Sequence, residues 1–391
     1  TTIHQNRRGV GTAAVEALLR ILDRPDVPPP TLTLPVELVI RESTVPASAT
    51  AEQPRGGAHE TVESGASPAQ ERLSVDEVFR QLGKEETFQR RAPGEVSDEW
   101  RESWLPENRR TIALAADTTP DQSYRHAFFD EVFYGLRASA HARSADLLLL
   151  TRIWPGKDAF PPFLELCHRY RADGIVVASL PPSDPEMISL TRSGFPCVAF
   201  DVELLGERTA FVSFDNVEGA ASVVRHLAES GRRRIAFIGG RGEERPSVDR
   251  QLGYESELAR LGLPHLPEYI RSAQWLHDRA YEATKEMLAL PEPPDAIFAA
   301  SDIMAIGAMA AVEDAGLRIP GDVAVAGIDD LEVANMVTPS LTSVRQSQLA
   351  LVTAIMDALS DLLDNPRALP KATILPVELV VRESTSAEKD S

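Results

Sequence analysis

From Thr111 onward the chain alternates short apolar runs with amphipathic helical stretches, a pattern that few architectures accept. The runs TIALAAD (111–117), DLLLLT (146–151), GIVVAS (174–179) and PCVAF (196–200) are separated by helical periodicity near 125–142, 158–170 and 184–193. FVSF (211–214), a helix at 217–230, RIAFIG (234–239) and helices near 246–261 and 277–289 come next. AIFAA (296–300), a helix at 302–315 and VAVAGI (323–328) complete the series. Apolar runs without polar alternation are buried on both faces, as parallel strands flanked by helices are. Alternating strand and helix predicts an α/β fold with doubly wound parallel sheets. The strands are too many for one such sheet, and the run restarts near Phe211. The expectation is two α/β lobes facing each other, with a ligand cleft outside the carboxyl ends of the strands.

The chain also repeats its end at its beginning. Thr1–Thr44 aligns with Thr342–Thr385 without a gap, with 20 identities in 44 positions. Both copies close on nearly the same words, LPVELVIREST (34–44) and LPVELVVREST (375–385). Each reads as a helix followed by a strand, and neither element can bury its apolar face alone. Residues 1–44 are therefore expected to be the closing helix and strand of a preceding, truncated copy, ahead of one complete domain. Residues 45–72 are rich in Ala, Ser, Pro, Gly and Glu and poor in large apolar side chains, the composition of a disordered linker. Residues 73–91 have the spacing of one amphipathic helix, which Pro93 and Gly94 interrupt, and 386–391 form a polar tail.

The net charge is −19. Such a surface repels phosphate backbones and argues against a nucleic-acid-binding face on the body. The two cysteines, Cys167 and Cys197, lie in mainly apolar or aromatic surroundings and read as buried free thiols of a reducing compartment. The eight histidines lack metal-ligand spacing, so neither a metal nor another cofactor is expected. There is no Gly-x-Ser-x-Gly, and GGRGEE (239–244) lacks the Lys-Ser/Thr of a phosphate-binding loop. No enzymatic constellation emerges. No apolar run approaches a membrane span, and TTIHQNRRGV is no signal peptide, so a cytoplasmic protein is expected.

Several stretches resemble the lactose-repressor (LacI) family of transcriptional regulators. They are ADGIVVAS (172–179), NVEGAASVVRHLAESGRRRIAFIGG (216–240), DAIFAASDIMAIGAMAAVEDAGLRIPGDVAVAGIDD (295–330), TPSLTSVRQ (338–346) and the closing LPVELVVREST. The resemblance runs in order over about 111–385. It implies a periplasmic-binding-protein type of body: two Rossmann-like lobes joined by three crossovers and closing on a small molecule. Lobe 1 is expected over about 111–208 and 347–364, and lobe 2 over about 210–340 and 367–385. Family members carry a helix-turn-helix that reads the major groove. Here LSVDEVFRQLG (73–83) resembles its first helix and PENRR (106–110) the segment before the body. KEETFQRRAPGE stands where the recognition helix belongs, so 73–110 reads as a degenerate head or a linker helix.

The same resemblance nominates ligand-facing residues. HAFF (126–129) resembles the family's Asn-Pro-Phe-Phe, which points to His126, Phe128 and Phe129, with core packing as the alternative for the two phenylalanines. Asp201 matches a strand-end aspartate, but Val202 stands where the family has an arginine. Arg250 matches an arginine that lines the cleft, with an ion pair to a nearby helix as its other reading. Trp275 falls where relatives place an aromatic over the ligand, or else simply packs. Ser301 replaces an asparagine, Asp302 reads as a helix cap, Asp329 is the leading carboxylate for ligand hydroxyls, and Asp330 reads as solvated or turn-forming.

The function implied is a LacI-type regulator whose body senses a small polar effector, a sugar or a nucleoside. A homodimer is expected, with no membrane partner and with DNA as partner only through an intact head upstream. Two other readings stay open at this point. One is a dimerisation or interaction module that has lost its ligand site, and the other is the solute-binding protein of a transporter.

Overall fold

The computed structural model describes residues 2–5, 36–39, 109–118, 127–153, 161–178, 180 and 184–386. The chain divides into two units, Thr1–Pro106 and Glu107–Ser391. In the first, strand β1 (Thr2–Gln5) pairs antiparallel with β2 (Val36–Val39), in the register Thr2↔Val39, Ile3↔Leu38, His4↔Glu37 and Gln5↔Val36. The helix expected within 1–44, the linker and the segment 73–108 lie outside the described residues.

The second unit holds two six-stranded sheets. Lobe 1 contains β3 (Arg110–Thr118), β4 (Ala145–Ile153), β5 (Gly174–Ala178), β6 (Cys197–Phe200), β7 (Thr209–Phe214) and β13 (Lys371–Leu375). Their order is β13-β7-β6-β5-β3-β4, and all pairings are parallel. Helices α1 (Ala127–Ala142), α2 (Phe163–Arg169), α3 (Pro185–Ser193) and α9 (Gln348–Asp364) belong to this lobe. Lobe 2 contains β8 (Ile235–Gly239), β9 (Ile270–Ser272), β10 (Ala296–Ala299), β11 (Ala324–Asp329), β12 (Thr342–Arg345) and β14 (Glu378–Val380). Their order is β14-β12-β11-β10-β8-β9, with only β14 antiparallel. Its helices are α4 (Asn216–Glu229), α5 (Arg245–Leu261), α6 (His277–Leu288), α7 (Asp302–Asp314) and the short α8 (Glu332–Met336).

The α/β class and the two lobes stand as expected, but two boundaries between the lobes move. FVSF does not open lobe 2: β7 pairs with β6, Phe200 facing Val212, so lobe 1 runs through Phe214. The loop 201–208 carries no helix, so the restart in the pattern is a strand added to the same sheet. Residues 371–375 likewise pair with β7 in lobe 1, not with lobe 2. LPVELVV is therefore not one strand. It breaks at Pro376–Val377, where a proline lacks the N–H that a continuing ladder needs, and resumes as β14 in the other sheet. The three crossings between lobes thus fall at Asp215, at Gln346–Ser347 and at Pro376–Val377.

Local chemistry sets the helix ends. Asp184, Asp215, Ser301 and Ser347 each accept a backbone N–H from the first turn of the helix that follows. Gly194 and Gly262 close α3 and α5 in the left-handed region that a Cβ disfavours. Burial follows the apolar runs: β5, β6, β7, β8, β10 and β11 are buried along their whole length. Cys167 and Cys197 are free and buried, and burial pushes the Cys167 thiol up to about 12 and the Cys197 thiol up as well. Both thiols stay protonated near neutrality and are inert as nucleophiles.

Candidate functional site

The carboxyl ends of β6, β10 and β11 and the two polypeptide crossings at 215 and 346 converge on Arg250. This arginine lies on α5 and is 4% exposed. Its Nε donates to Asn216 Oδ1 at 2.8 Å and its Nη2 to Gln346 Oε1 at 3.1 Å, while Nη1 donates to the Ala300 carbonyl. Gln346 Nε2 in turn donates to Asn216 Oδ1 at 3.1 Å. Asn216 and Gln346 each sit at a crossing, so this buried network ties two of the three interlobe connections to lobe 2. The planar guanidinium fork suits such a task, because its donors diverge at fixed angles. The sequence reading named Arg250 but missed Asn216 and Gln346. Their signal was slight: Asn216 stands two residues beyond the apolar run FVSF, and Gln346 follows the mostly polar strand TSVR.

Asp329 ends β11 and faces the same cation, with Oδ1 3.8 Å from Arg250 Nη1. It is 3% exposed, and its Oδ2 is buried without a hydrogen-bond partner. Burial raises its pKa to about 7; the Arg250 charge and a backbone hydrogen bond from Asp302 oppose the shift, and Asp201 adds to it. Asp201 follows β6, and its Oδ1 accepts from Ser213 Oγ at 2.6 Å. Burial raises it too, to about 6, against the pull of Ser213 and Arg250. Both aspartates adopt positive φ, 55° at Asp201 and 121° at Asp329. Backbone held there costs on the order of 1–3 kcal/mol and persists only where the surroundings over-determine it.

Two carboxylates differ from expectation. Asp302 does not cap α7. Ser301, fully buried, does so by accepting the Met304 N–H at 3.3 Å. The Asp302 side chain turns to the sheet, accepting from Ser343 Oγ at 2.5 Å and from the Leu331 N–H at 2.8 Å. Gly327 permits this, since a Cβ there would collide with Asp302 Oδ1. Burial and the nearby Asp329 push Asp302 well above the usual carboxylate range. Asp330 is not solvated. Its side chain is 6% exposed and ion-paired to Arg345 at 2.7 Å and to Arg382.

Trp275 is half-buried at positive φ, 66°, and the Arg250 guanidinium carbon lies 5.6 Å from its ring centroid. Its Nε1 donates to Glu244, and Gly240 leaves room for the ring, which a Cβ would overlap. Asp201, Arg250, Trp275, Ser301 and Asp329 are thus gathered around one point. Phe128 and Phe129 belong to an aromatic cluster of lobe 1 built on Phe200, the residue before Asp201. Phe128 is 4% exposed, stacks on Phe200 at 6.0 Å and meets Phe129 edge-on at 5.8 Å. Phe214 completes the group, and Leu331 of lobe 2 is buried in the same core. For Phe128 the packing alternative describes the geometry. His126 lies outside the described residues.

The lobes also meet through Arg245 at the start of α5. It pairs with Glu203 of lobe 1 at 2.6 Å and lies over the Phe211 ring at 5.5 Å, while holding Asp249 of its own helix at 3.2 Å.

Two parallel sheets crossed three times by the chain, with buried charge where their strand ends meet, define a two-lobed effector-binding body. Comparison with known proteins places it. The family described as periplasmic binding protein-like domain matches residues 224–385. The chain is 30% identical over 278 residues to the HTH-type transcriptional regulator CelR of Thermobifida fusca, covering 70% of this chain and 81% of that protein. It is 28% identical over 263 residues to the HTH-type transcriptional repressor CytR of Escherichia coli K12, covering 66% and 76%. A solved structure of a CelR–cellobiose complex superposes with a TM-score of 0.63 at 29% identity, covering 74% of this chain and 92% of that one. The chain belongs to the LacI family of transcriptional regulators. Among the described residues no helix is long and apolar enough to cross a membrane, and no cluster of three His, Cys, Asp or Glu is set to hold a metal.

Proposed function

We propose that this body senses a small neutral polyhydroxy molecule, a sugar or a nucleoside, held between the lobes at Asp329, Arg250, Asp201 and Trp275. The observation that carries this reading is the buried Asp329 Oδ2 with no donor. An unsatisfied buried acceptor costs about 1–3 kcal/mol, and a ligand hydroxyl aimed at it removes that cost. Charge selects the ligand class. Asp201 and Asp329 already face the one buried arginine, so its charge is not free for an anionic ligand and a neutral donor of hydroxyls is favoured. The indole face of Trp275 offers the apolar surface on which a sugar or base ring rests. That CelR, a relative at 29% identity, is known in complex with cellobiose supports the same class of ligand.

Binding acts on lobe orientation by differential affinity: a ligand touching both lobes stabilises their closed arrangement over any open one. In this reading the protein works as a homodimer, whose lobe orientation would set the placement of DNA-reading heads. Residues 73–110 do not themselves read DNA, because adjacent Glu85 and Glu86 and the Pro93–Gly94 break occupy the place of a recognition helix.

Melting the protein against a panel of neutral mono- and disaccharides and nucleosides tests the reading. A true effector at 100 times its Kd stabilises by about 2.7 kcal/mol, and Asp329→Asn should abolish that gain. A cooperative transition that no member of the panel moves contradicts the proposal.

A further inference from the structure

We infer that residues 1–44 are a second closing segment for the effector body of this chain, able to take the place of residues 342–385. The body depends on 342–385 in both lobes. β12 and β14 pair in lobe 2, while α9 and β13 pack and pair in lobe 1. The duplicated segment forms the same pair in the same register. Thr2↔Val39, Ile3↔Leu38 and His4↔Glu37 correspond to Ser343↔Val380, Val344↔Leu379 and Arg345↔Glu378. In the body, β12 has a second neighbour, β11, against which Thr342 to Arg345 lie in parallel. Among the described residues β1 pairs with β2 alone, and no counterpart of β11 lies along its other edge. Such an edge is a template for strand addition.

The residue types match the groove as well as the register does. Ser343 bonds Asp302, Gln346 bonds Arg250, Arg382 pairs with Asp330, Ser384 donates to the Val325 carbonyl at 2.6 Å and Thr385 meets His226 at 2.7 Å. Their counterparts are Thr2, Gln5, Arg41, Ser43 and Thr44, which keep the hydroxyl, the amide and the guanidinium. The buried stripe of α9 comprises Leu351, Val352, Ile355, Met356, Ala358, Leu359 and Leu362. It is matched in order by Val10, Gly11, Ala14, Val15, Ala17, Leu18 and Ile21, apolar or small at every position. The largest changes of character fall on exposed sites, Leu349, 78% exposed, corresponding to Arg8 and Leu369, 83% exposed, to Pro28, while the half-buried Ser360 and Thr373 become Leu19 and Leu32. Contacts are weakened where His4 stands for the Arg345 that pairs with Asp330 and where Gly11 stands for the buried Val352. Residues 342–385 therefore fit better and hold the groove, and 1–44 is the reserve. At about 3.3 Å per extended residue, the length of chain between 45 and 109 does not limit such an exchange.

Equivalent buried leucines test this in the full chain. Leu359 is fully buried in lobe 1, and Leu18 is its counterpart. Leu359→Asp should drive the native segment out and leave the body closed by 1–44, with a small fall in Tm. Leu18→Asp alone should be silent. The double variant should lose the cooperative transition or fall on the order of 10 °C or more below Leu359→Asp. Because the segment is tethered, the rescue should not depend on protein concentration. A double variant that melts with Leu359→Asp overturns the inference, whatever the size of the common fall. Rescue seen only at high concentration overturns its occupation of the same chain's body.

Discussion

The two lobes repeat one sheet order, so β6 of lobe 1 and β11 of lobe 2 occupy equivalent places, and an aspartate at positive φ follows the first and ends the second. The two carboxylates are treated differently. Asp201 has a donor from the neighbouring strand, the Ser213 hydroxyl at 2.6 Å. In lobe 2 the residue of β12 opposite Asp329 is Arg345, which pairs with Asp330; the serine of that strand, Ser343, lies two residues earlier and donates to Asp302, and Asp329 Oδ2 is left without a donor. The surroundings differ in the same sense. The lobe-1 side is an aromatic cluster of Phe128, Phe129, Phe200 and Phe214, and the lobe-2 side is the Arg250 network. One lobe supplies packing, while the other keeps an acceptor in reserve. Equivalent strand ends in a repeated fold thus take different tasks because the neighbouring strand presents a serine to one carboxylate and an arginine opposite the other.

Four changes break or sharpen that contrast. Arg250→Ala should have the largest effect, about 3–5 kcal/mol of stability in urea unfolding, because it strands Asn216, Gln346, the Ala300 carbonyl and Asp329 together. A loss below about 1 kcal/mol would mean that the network does not support the lobe. Phe128→Ala should cost about 3 kcal/mol through the cavity it leaves among Phe129, Phe200 and Phe214.

The third change is a pH dependence. Folded Asp329 is raised to about 7 from an ordinary value near 3.8, so between these values the folded protein holds a proton that the unfolded chain releases. Its contribution to stability is full below the lower value and is lost as pH rises through about 7. The Tm of the wild type relative to Asp329→Asn should accordingly fall from pH 5 to pH 8, whereas a flat difference would place Asp329 in contact with water. Hydroxyl donors favour the anion, so effector affinity should rise through the same window. Arg245→Ala should be the mildest change, about 0.5 kcal/mol and diminished by salt, since the Glu203 partner is 52% exposed.

Much of this was legible in the sequence. Strands buried on both faces announce themselves as unbroken apolar runs, and the helices near 125–142, 246–261 and 302–315 differ from the observed spans by a residue or two at their ends. What failed was assignment to a sheet. β7 looks like any other apolar run and β13, KATIL, hardly like a buried strand at all, and only their pairing partners show that both lie in lobe 1. Side-chain direction was the second gap. Asp302 follows a strand, as a capping residue would, yet the contact that decides its role is Ser343 on another strand. Asp330 was hidden in the same way, its partners Arg345 and Arg382 arriving from the closing segment. Arg250, Trp275 and Asp329 were nominated because motif position transfers even where partners cannot be read.

The most direct test is a crystal structure with an effector drawn from the melting panel. A ligand hydroxyl within about 3 Å of Asp329 Oδ2, with the sugar or base ring against Trp275, is the predicted result. A ligand seated elsewhere, or one between the lobes that leaves Oδ2 without a donor, would contradict it.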